Sequence, residues 1–84
     1  MKAHVYVMLR KTVLDPQGQT IHGALRKMQY RGVEDVRQGK YFLLTLSDSL
    51  PLPEAQLEVE RIAREVLTNP VIEDFSIQWE ESTR

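Results

Sequence analysis

The first apolar segment of the chain has a period of two residues. Residues 3–9 alternate, with His4, Tyr6 and Met8 on one side and a continuous apolar set on the other, namely Ala3, Val5, Val7 and Leu9. This is the side-chain period of a β-strand. The pattern predicts a first strand whose two faces are both largely apolar.

A helical period follows. Asp15 has the residue type of a helix N-cap, and Pro16 suits the first helical position because that position needs no N–H donor. Apolar residues then recur at spacings of three and four, at Ile21, Ala24, Leu25 and Met28. Gly32 is placed to end the helix in the left-handed conformation. The sequence predicts a helix over residues 16–30.

The next region predicts a hairpin. Residues 33–37 and 41–47 read as two short strands, and Gly39 between them supplies the positive φ of a tight turn. In the second of these strands Phe42 and Leu44 face one way, while Tyr41 and Leu43 face the other. Residues 47–53 contain two prolines and read as a loop.

The last third predicts a helix and a final strand. The helix is marked by a second stripe of apolar positions, Ala55, Val59, Ile62, Ala63 and Val66. Asn69-Pro70 ends it, because the residue before a proline avoids the helical region. Residues 71–80 alternate again and predict a strand.

The order of elements is therefore β-α-β-β-α-β. With right-handed crossovers, this order predicts an α+β, ferredoxin-like two-layer sandwich. Its antiparallel sheet has four strands in the order 4-1-3-2, with both helices on one face. We expect a single domain over residues 1–84. A chain this short buries only roughly 60–65% of its unfolded surface, and small domains often gain further stability from a partner.

The sheet face opposite the helices is predicted to be an interface. The two central strands of this topology present an apolar strip there, formed by Tyr6, Met8, Tyr41 and Leu43. The edge strand adds a polar rim of Asp74, Ser76 and Gln78. An apolar strip inside a polar rim is typical of a protein contact. We expect self-association through this strip, as a homodimer or a dimer of dimers.

Composition narrows the classes of function. The chain has no cysteine, and 11 basic residues nearly cancel 12 acidic ones, for a net charge of −1. This balance gives no electrostatic footprint for nucleic acid or anionic lipid, although Tyr6 and Tyr41 lie roughly where RNA-binding sheets carry stacking aromatics. No apolar run approaches the roughly 18 residues of a membrane span. We expect a cytoplasmic protein.

The sequence contains no recognisable catalytic set. It has no phosphate-binding glycine loop and no nucleophile elbow. Three acidic pairs stand out, Glu34-Asp35, Glu73-Asp74 and Glu80-Glu81, but neighbours on a strand point to opposite faces and do not form an acid/base couple. His4 and His22 each lack a second metal ligand at useful spacing. We expect no catalytic, cofactor-binding or metal-binding residue.

Three segments together resemble a known family. They are Val13-Leu-Asp-Pro-Gln-Gly18, Val33-Glu-Asp-Val-Arg-Gln-Gly-Lys-Tyr41 and Asn69-Pro-Val-Ile-Glu-Asp-Phe75. In this order and spacing they resemble the PurS family, the small subunit of bacterial and archaeal phosphoribosylformylglycinamidine synthase. The first strand agrees as well, since it ends in a basic residue, Arg10. The segment Leu50-Pro-Leu-Pro53 departs from the family pattern, which is more acidic and has less proline.

The resemblance implies a role in the fourth step of de novo purine synthesis. There, formylglycinamide ribonucleotide, ATP and glutamine give formylglycinamidine ribonucleotide, ADP, phosphate and glutamate. A PurQ-like glutaminase releases ammonia, and a PurL-like synthetase uses ATP and Mg²⁺. The PurS-like subunit is a homo-oligomer that binds no cofactor itself and docks between the two enzymes.

The family-like segments are also the predicted partner contacts. These are Leu14, Asp15, Pro16, Gly18, Arg37, Gly39, Lys40, Asn69, Pro70, Glu73 and Asp74. Each also has a structural reading as a cap, turn or helix stop. Two other classes stay open: an ACT-like regulatory dimer that binds an amino acid, and an acylphosphatase-like enzyme, for which the stretch after the first strand lacks the glycine-rich cradle.

Overall fold

The computed structural model describes residues 1–80. It contains three strands, β1 (Lys2–Leu9), β2 (Gly39–Thr45) and β3 (Glu73–Glu80). Helix α1 spans Pro16–Lys27, and helix α2 spans Leu52–Ile62 and continues as a π-helical turn, Ala63–Leu67. The predicted domain of residues 1–84, like the acidic pair at 80–81, extends into the four residues outside this range. Within residues 1–80, no helix is long and apolar enough to cross a membrane.

The sheet is antiparallel, with the order β2-β1-β3. Val5 of β1 lies opposite Phe42 on one side and Ile77 on the other, so these three side chains share a face. The α+β class is therefore confirmed. The four-stranded sheet requires a correction: the described residues form three strands, and residues 33–37 are not one of them.

The segment that was predicted as a fourth strand is held against α1 instead. The backbone N–H of Gln38 donates to the Asp15 carboxylate at 2.7 Å. Further out, the His22 Nε2 atom lies 2.9 Å from the carbonyl oxygen of Val33. These contacts tie the segment to the start and the middle of α1. It consequently does not pair with the free edge of β2.

The core lies between the sheet and α2. Ala3, Val5 and Val7 of β1 are fully buried against Val59 and Ala63, and Ala55 on the same helix is also fully buried. These three α2 residues are spaced by four and lie on one helix face. Since two of them are alanines, the helix backbone approaches the sheet closely. Larger apolar side chains of β2 and β3 surround this cluster.

The end of α2 departs from the predicted stripe. The last turn is π-helical, with more residues per turn than an α-helix. Val66 consequently rotates out of the core and is 72% exposed. Its predicted place in the buried stripe is wrong. The Thr68 hydroxyl fixes this turn by donating to the carbonyl oxygen of Ala63 at 2.5 Å.

Helix α1 does not pack on the sheet, so the prediction of two helices on one face is wrong. Gly18 is its one buried residue, and no α1 side chain joins the core cluster of the described chain. The radius of gyration is 16.6 Å, against about 12 Å for a compact chain of this length. Residues 11–38, which we call the arm, extend from one end of the sheet and give the molecule a long dimension of 51 Å.

Two glycine predictions also need correction. Helix α1 ends at Lys27 rather than near 30, and the left-handed residue after it is Gln29 with φ 74°, not Gly32. Gly39 does not have a positive φ either. It begins β2 and lies against β1, where a Cβ atom would collide with the Met8 sulfur and the Val7 carbonyl oxygen. Glycine is needed there for close approach.

Candidate partner-docking surfaces

The three family-like segments meet at one end of the sheet. Because the strands are antiparallel, Met8 near the end of β1 lies opposite both Gly39 at the start of β2 and Asp74 at the start of β3. The loop from β1 to α1 begins at the same place. We call this surface the motif end; it consists of residues 9–18, 37–40 and 69–74.

Asp15 joins two of the segments beneath the surface of the motif end. Its side chain is buried, with 6% exposure. One carboxylate oxygen accepts the Gly18 N–H at 3.0 Å, and the other accepts the Gln38 N–H at 2.7 Å. The hydrogen bond from Gln38 is the main cause that lowers the pKa of Asp15, followed by that from Gly18 and by the charge of Arg37. Asp15 is therefore ionised and connects the start of α1 to Gln38, the residue just before β2.

Arg37 closes the loop that follows β1. Its guanidinium group donates to the carbonyl oxygen of Arg10 at 2.9 Å. It also reaches the carbonyl oxygens of Leu9 at 3.3 Å and Val13 at 3.5 Å. One cation thus contacts three backbone carbonyl groups at and just after the end of β1. Together, Arg37 and Asp15 fix the base of the arm.

Glu73 organises the third segment. Its carboxylate accepts the backbone N–H of Asn69 at 2.7 Å and lies 3.3 Å from the Lys40 ammonium. The Asn69 hydrogen bond is the first cause that lowers the pKa of Glu73, and Lys40 adds to it. Asn69 in turn accepts the N–H of Val71 through its side-chain oxygen at 3.1 Å. The turn between α2 and β3 is held at both ends.

Arg10 was not among the predicted contacts, yet it links β1 to this turn. It donates to the Pro70 carbonyl oxygen at 2.7 Å and forms an ion pair with Asp74 at 3.3 Å. The sequence signal for it was its position as the basic residue that ends the first strand. Its side chain is 47% exposed and that of Asp74 is 71% exposed, so both are accessible at the surface.

The predicted contact residues fall into two groups. Asp15 and Gly18 are buried, and Arg37 and Glu73 are half-buried. The exposed members are Leu14, Pro16, Gly39, Lys40, Asn69, Pro70 and Asp74. The first group positions the second. The structure therefore brings all three segments together, with seven of the eleven predicted residues exposed.

The apolar strip on the open sheet face is present, but it does not lie on two central strands as predicted. Tyr6, Met8, Tyr41 and Leu43 are 40%, 39%, 52% and 47% exposed, respectively. They lie on one face by register. Since the fourth strand is missing, the strip runs along β1 and the edge strand β2, not along two central strands. The predicted rim residues Asp74, Ser76 and Gln78 lie on β3 and are exposed.

The sequence placed His4 on the face of this strip but did not predict its contacts. His4 Nδ1 lies 2.6 Å from the Tyr41 hydroxyl and Nε2 lies 2.7 Å from the Glu80 carboxylate. The ring stacks on Tyr41 with centroids 5.8 Å apart. The hydrogen bond from His4 is the leading cause of a lowered pKa at Glu80. The available signal was the alternation of β1, which puts His4 on the face of Tyr6.

No metal centre is found in the described part of the chain. Residues 1–80 contain no group of three or more histidine, cysteine, aspartate or glutamate side chains arranged to hold an ion. His22 is engaged with the Val33 carbonyl oxygen. The described residues present two surfaces suited to protein contact, the motif end and the open sheet face.

Comparison with known proteins agrees with this description. The family model described as "PurS: Phosphoribosylformylglycinamidine (FGAM) synthase" matches residues 2–81. The phosphoribosylformylglycinamidine synthase subunit PurS of Mycobacterium leprae is 47% identical over 79 residues, which cover 94% of this chain and 95% of that protein.

Solved structures give the same result. The structure of Methanocaldococcus jannaschii PurS, one of the subunits of formylglycinamide ribonucleotide amidotransferase, is similar with a TM-score of 0.86 at 33% identity, covering 98% of each chain. A chain of PurLQS from Thermotoga maritima has a TM-score of 0.83 at 31% identity, covering 92% of this chain and 93% of that one. The chain therefore belongs to the PurS family and is a subunit of phosphoribosylformylglycinamidine synthase, a ligase complex of purine biosynthesis.

Proposed function

We propose that this subunit bridges the PurQ-like glutaminase and the PurL-like synthetase and that it docks on them through the motif end. In this role it holds the two enzymes so that ammonia from glutamine reaches the synthetase without protonation or escape. ATP and Mg²⁺ act at the synthetase, and the complex works in the cytoplasm.

The observation that carries the proposal is the convergence of the three family-like segments. They are separated in sequence, yet they share one end of the sheet. Beneath them, the side chains of Asp15 and Arg37 make hydrogen bonds to backbone groups, and the Glu73 carboxylate makes one in the turn before β3. A surface held by such bonds is preorganised, which lowers the entropic cost of binding.

A second part of the proposal concerns self-association. The open sheet face exposes Tyr6, Met8, Tyr41 and Leu43 as one strip. Because each of these side chains is about half exposed, burying them on two copies contributes roughly 6–12 kcal/mol in gross terms, against an association cost of about 4–15 kcal/mol. We infer that two copies pair through this face, which leaves both motif ends free for the larger subunits.

The bridging role is tested by reconstitution with the two partner subunits. Omitting this subunit should abolish glutamine-dependent synthesis of the amidine, while synthesis with added ammonium salt partly survives, because only the transfer between sites is lost. Unchanged glutamine-dependent activity without the subunit would refute the bridge.

A charge reversal locates the docking surface. Asp74→Lys changes the motif end, and its matched control, Asp48→Lys, changes the opposite end of the sheet. Each carboxylate is well exposed, at 71% and 79%, and each loses one ion pair, to Arg10 and to the N-terminal amine respectively. Asp74→Lys should weaken glutamine-dependent activity at least tenfold at limiting subunit. Equal effects of the two variants would argue against docking at this end.

A further inference from the structure

The outer part of the arm contains a cavity that neither of the two docking surfaces includes. The cavity has a volume of about 530 Å³ and is lined by His22, Arg26, Arg31, Val33 and Glu34. We call it the arm pocket. Its volume lies within the range of about 300–1,000 Å³ that is typical of small-molecule sites. Most of the lining residues are ionisable, and the basic types outnumber the acidic one.

Helix α1 forms one wall of the arm pocket. His22 and Arg26 are four residues apart, so they lie on the same face of the helix. The His22 Nε2 atom lies 2.9 Å from the carbonyl oxygen of Val33. Because a carbonyl oxygen only accepts hydrogen bonds, Nε2 is the donor in this contact. His22 thus connects the helix to the opposite wall and fixes the width of the pocket.

The segment after α1 forms the other wall. Gln29 has φ 74° and turns the chain back after the helix, so that Arg31 and Glu34 lie on the returning segment. The Arg31 Nη2 atom donates to the side-chain oxygen of Gln29 at 2.9 Å, which restrains the guanidinium group. Within residues 1–80, no ion pair involves Arg26, Arg31 or Glu34.

The end of α1 does not need these cations for its own hydrogen bonds. Basic side chains near a helix C-terminus often bind the last carbonyl groups of the helix. Here the backbone binds them instead, since the carbonyl oxygens of Ala24, Leu25 and Arg26 accept the N–H groups of residues 28–30. Both guanidinium groups of the arm pocket are therefore available to a ligand.

Charge is unevenly distributed between the arm and the rest of the chain. The arm, residues 11–38, has five basic and three acidic residues, whereas the remainder has six basic and nine acidic residues. The arm is therefore positively charged in a chain whose net charge is −1. Its electrostatic potential favours the approach of an anion.

We propose that the arm pocket binds a phosphate monoester of a small hydroxylated compound, the chemistry that sugar phosphates and ribonucleotides share. Arg26 and Arg31 approach from opposite walls, and the planar fork of each guanidinium group matches two phosphate oxygens. The Glu34 carboxylate only accepts hydrogen bonds, so it repels the phosphate and binds hydroxyl groups of the sugar. Val33, which is 38% exposed, provides an apolar contact beside them.

The number of charges favours a phosphate over a carboxylate ligand. A phosphate monoester carries about −1.5 to −2 charge near pH 7 and has three acceptor oxygens, which suits two guanidinium groups. A carboxylate has a single charge and would leave one arginine unpaired. The inference goes beyond the bridging role and does not depend on it, because no residue of the arm pocket belongs to the motif end.

Titration calorimetry on the full chain in a phosphate-free buffer tests the class of ligand. Ribose 5-phosphate should bind saturably, and ribose should give no heat of binding. Inorganic phosphate should bind roughly tenfold more weakly than ribose 5-phosphate, because it lacks the hydrogen bonds between the hydroxyl groups and Glu34. If inorganic phosphate binds as tightly as ribose 5-phosphate, or if neither binds at millimolar concentration, the proposal is overturned.

Substitutions locate the site within the arm. Arg26→Gln and Arg31→Gln should each weaken the binding of ribose 5-phosphate roughly tenfold. The matched control is Lys27→Gln, which removes one positive charge from the same helical turn at a residue that does not line the pocket. It should change the affinity less than about threefold. Glu34→Ala should bring the affinities for ribose 5-phosphate and inorganic phosphate to within about threefold of each other.

The control decides whether the pocket or the general charge of the arm binds the ligand. Equal weakening by Arg26→Gln and Lys27→Gln, with circular dichroism showing both variants folded, would contradict the proposal. Adenosine 5′-monophosphate then distinguishes the two sources of the phosphate group. Binding about fivefold tighter than that of ribose 5-phosphate assigns the pocket to ribonucleotides, and equal binding assigns it to sugar phosphates. The two ligands should compete, and independent binding of both would refute a single pocket.

Discussion

Thr68→Val tests whether one hydroxyl holds the π-helical turn that follows α2. Thr68 is buried, with 8% exposure, and its hydroxyl donates to the Ala63 carbonyl oxygen at 2.5 Å. Ala63 itself is fully buried in the core. Valine keeps the branched shape of threonine but has no donor. The change therefore removes one hydrogen bond and leaves a buried acceptor without its side-chain partner.

The magnitude follows from the burial. A side-chain hydrogen bond contributes about 0.5–1.5 kcal/mol net, and the Ala63 carbonyl keeps the backbone bond of the π-helical turn. We expect a loss of about 1 kcal/mol in the free energy of unfolding. For a domain of this size, that lowers the melting temperature by roughly 4–8 °C. Thr68→Ser, which keeps the hydroxyl, should lose less than half as much.

The assay is urea unfolding followed by circular dichroism at one fixed protein concentration, because association changes the apparent stability. With a slope of about 1–2 kcal/mol per molar urea, the Thr68→Val midpoint should fall by about 0.5–1 M. If Thr68→Val unfolds at the wild-type midpoint, or if Thr68→Ser is as unstable as Thr68→Val, the hydroxyl does not hold the turn.

Three further predictions concern other parts of the fold. The Asn69 N–H lowers the pKa of Glu73 below 4.5. The contribution of Glu73 to stability is therefore present above that pH and is lost as the pH falls through the folded pKa. Glu73→Gln should reduce the pH dependence of the free energy of unfolding on the acid side. Leu43→Asp should abolish open-face pairing in sedimentation, whereas Thr45→Asp on the same strand and face should not. Gln29 has φ 74°, so Gln29→Gly should stabilise the chain by about 1 kcal/mol in urea unfolding.

The sheet and its core were predictable from the sequence because the strand period is local. The alternation in β1 places Val5 inside and Tyr6 outside without reference to any other element, and the register confirms both. The same holds for Phe42 and Tyr41 on β2. A period of two leaves only one assignment of faces once the core side is known.

The position of α1 was not predictable in this way. A helical stripe shows that a face must be covered, but it does not show which chain covers it. The arm lies away from the sheet because Asp15 and Arg37 make bonds to backbone groups distant in sequence. Asp15 was correctly predicted as an N-cap, and its second bond, to Gln38, has no local signature. That bond also holds the segment before β2 away from the sheet, so it contributes both to the position of α1 and to the absence of the predicted fourth strand from the described residues.

The same bonds give the family-like segments a physical meaning. Asp15 and Glu73 lie in different segments, yet both use a carboxylate to bind a backbone N–H where a helix meets a strand. Each residue therefore sets the geometry of the chain around it and does not itself form the outer surface. A partner that binds the motif end then contacts side chains such as Lys40 and Asp74, whose positions depend on these carboxylates. Substituting Asp15 or Glu73 should consequently weaken docking as much as substituting an exposed contact, and substituting Asp15 should also alter the direction of the arm, whose base it fixes.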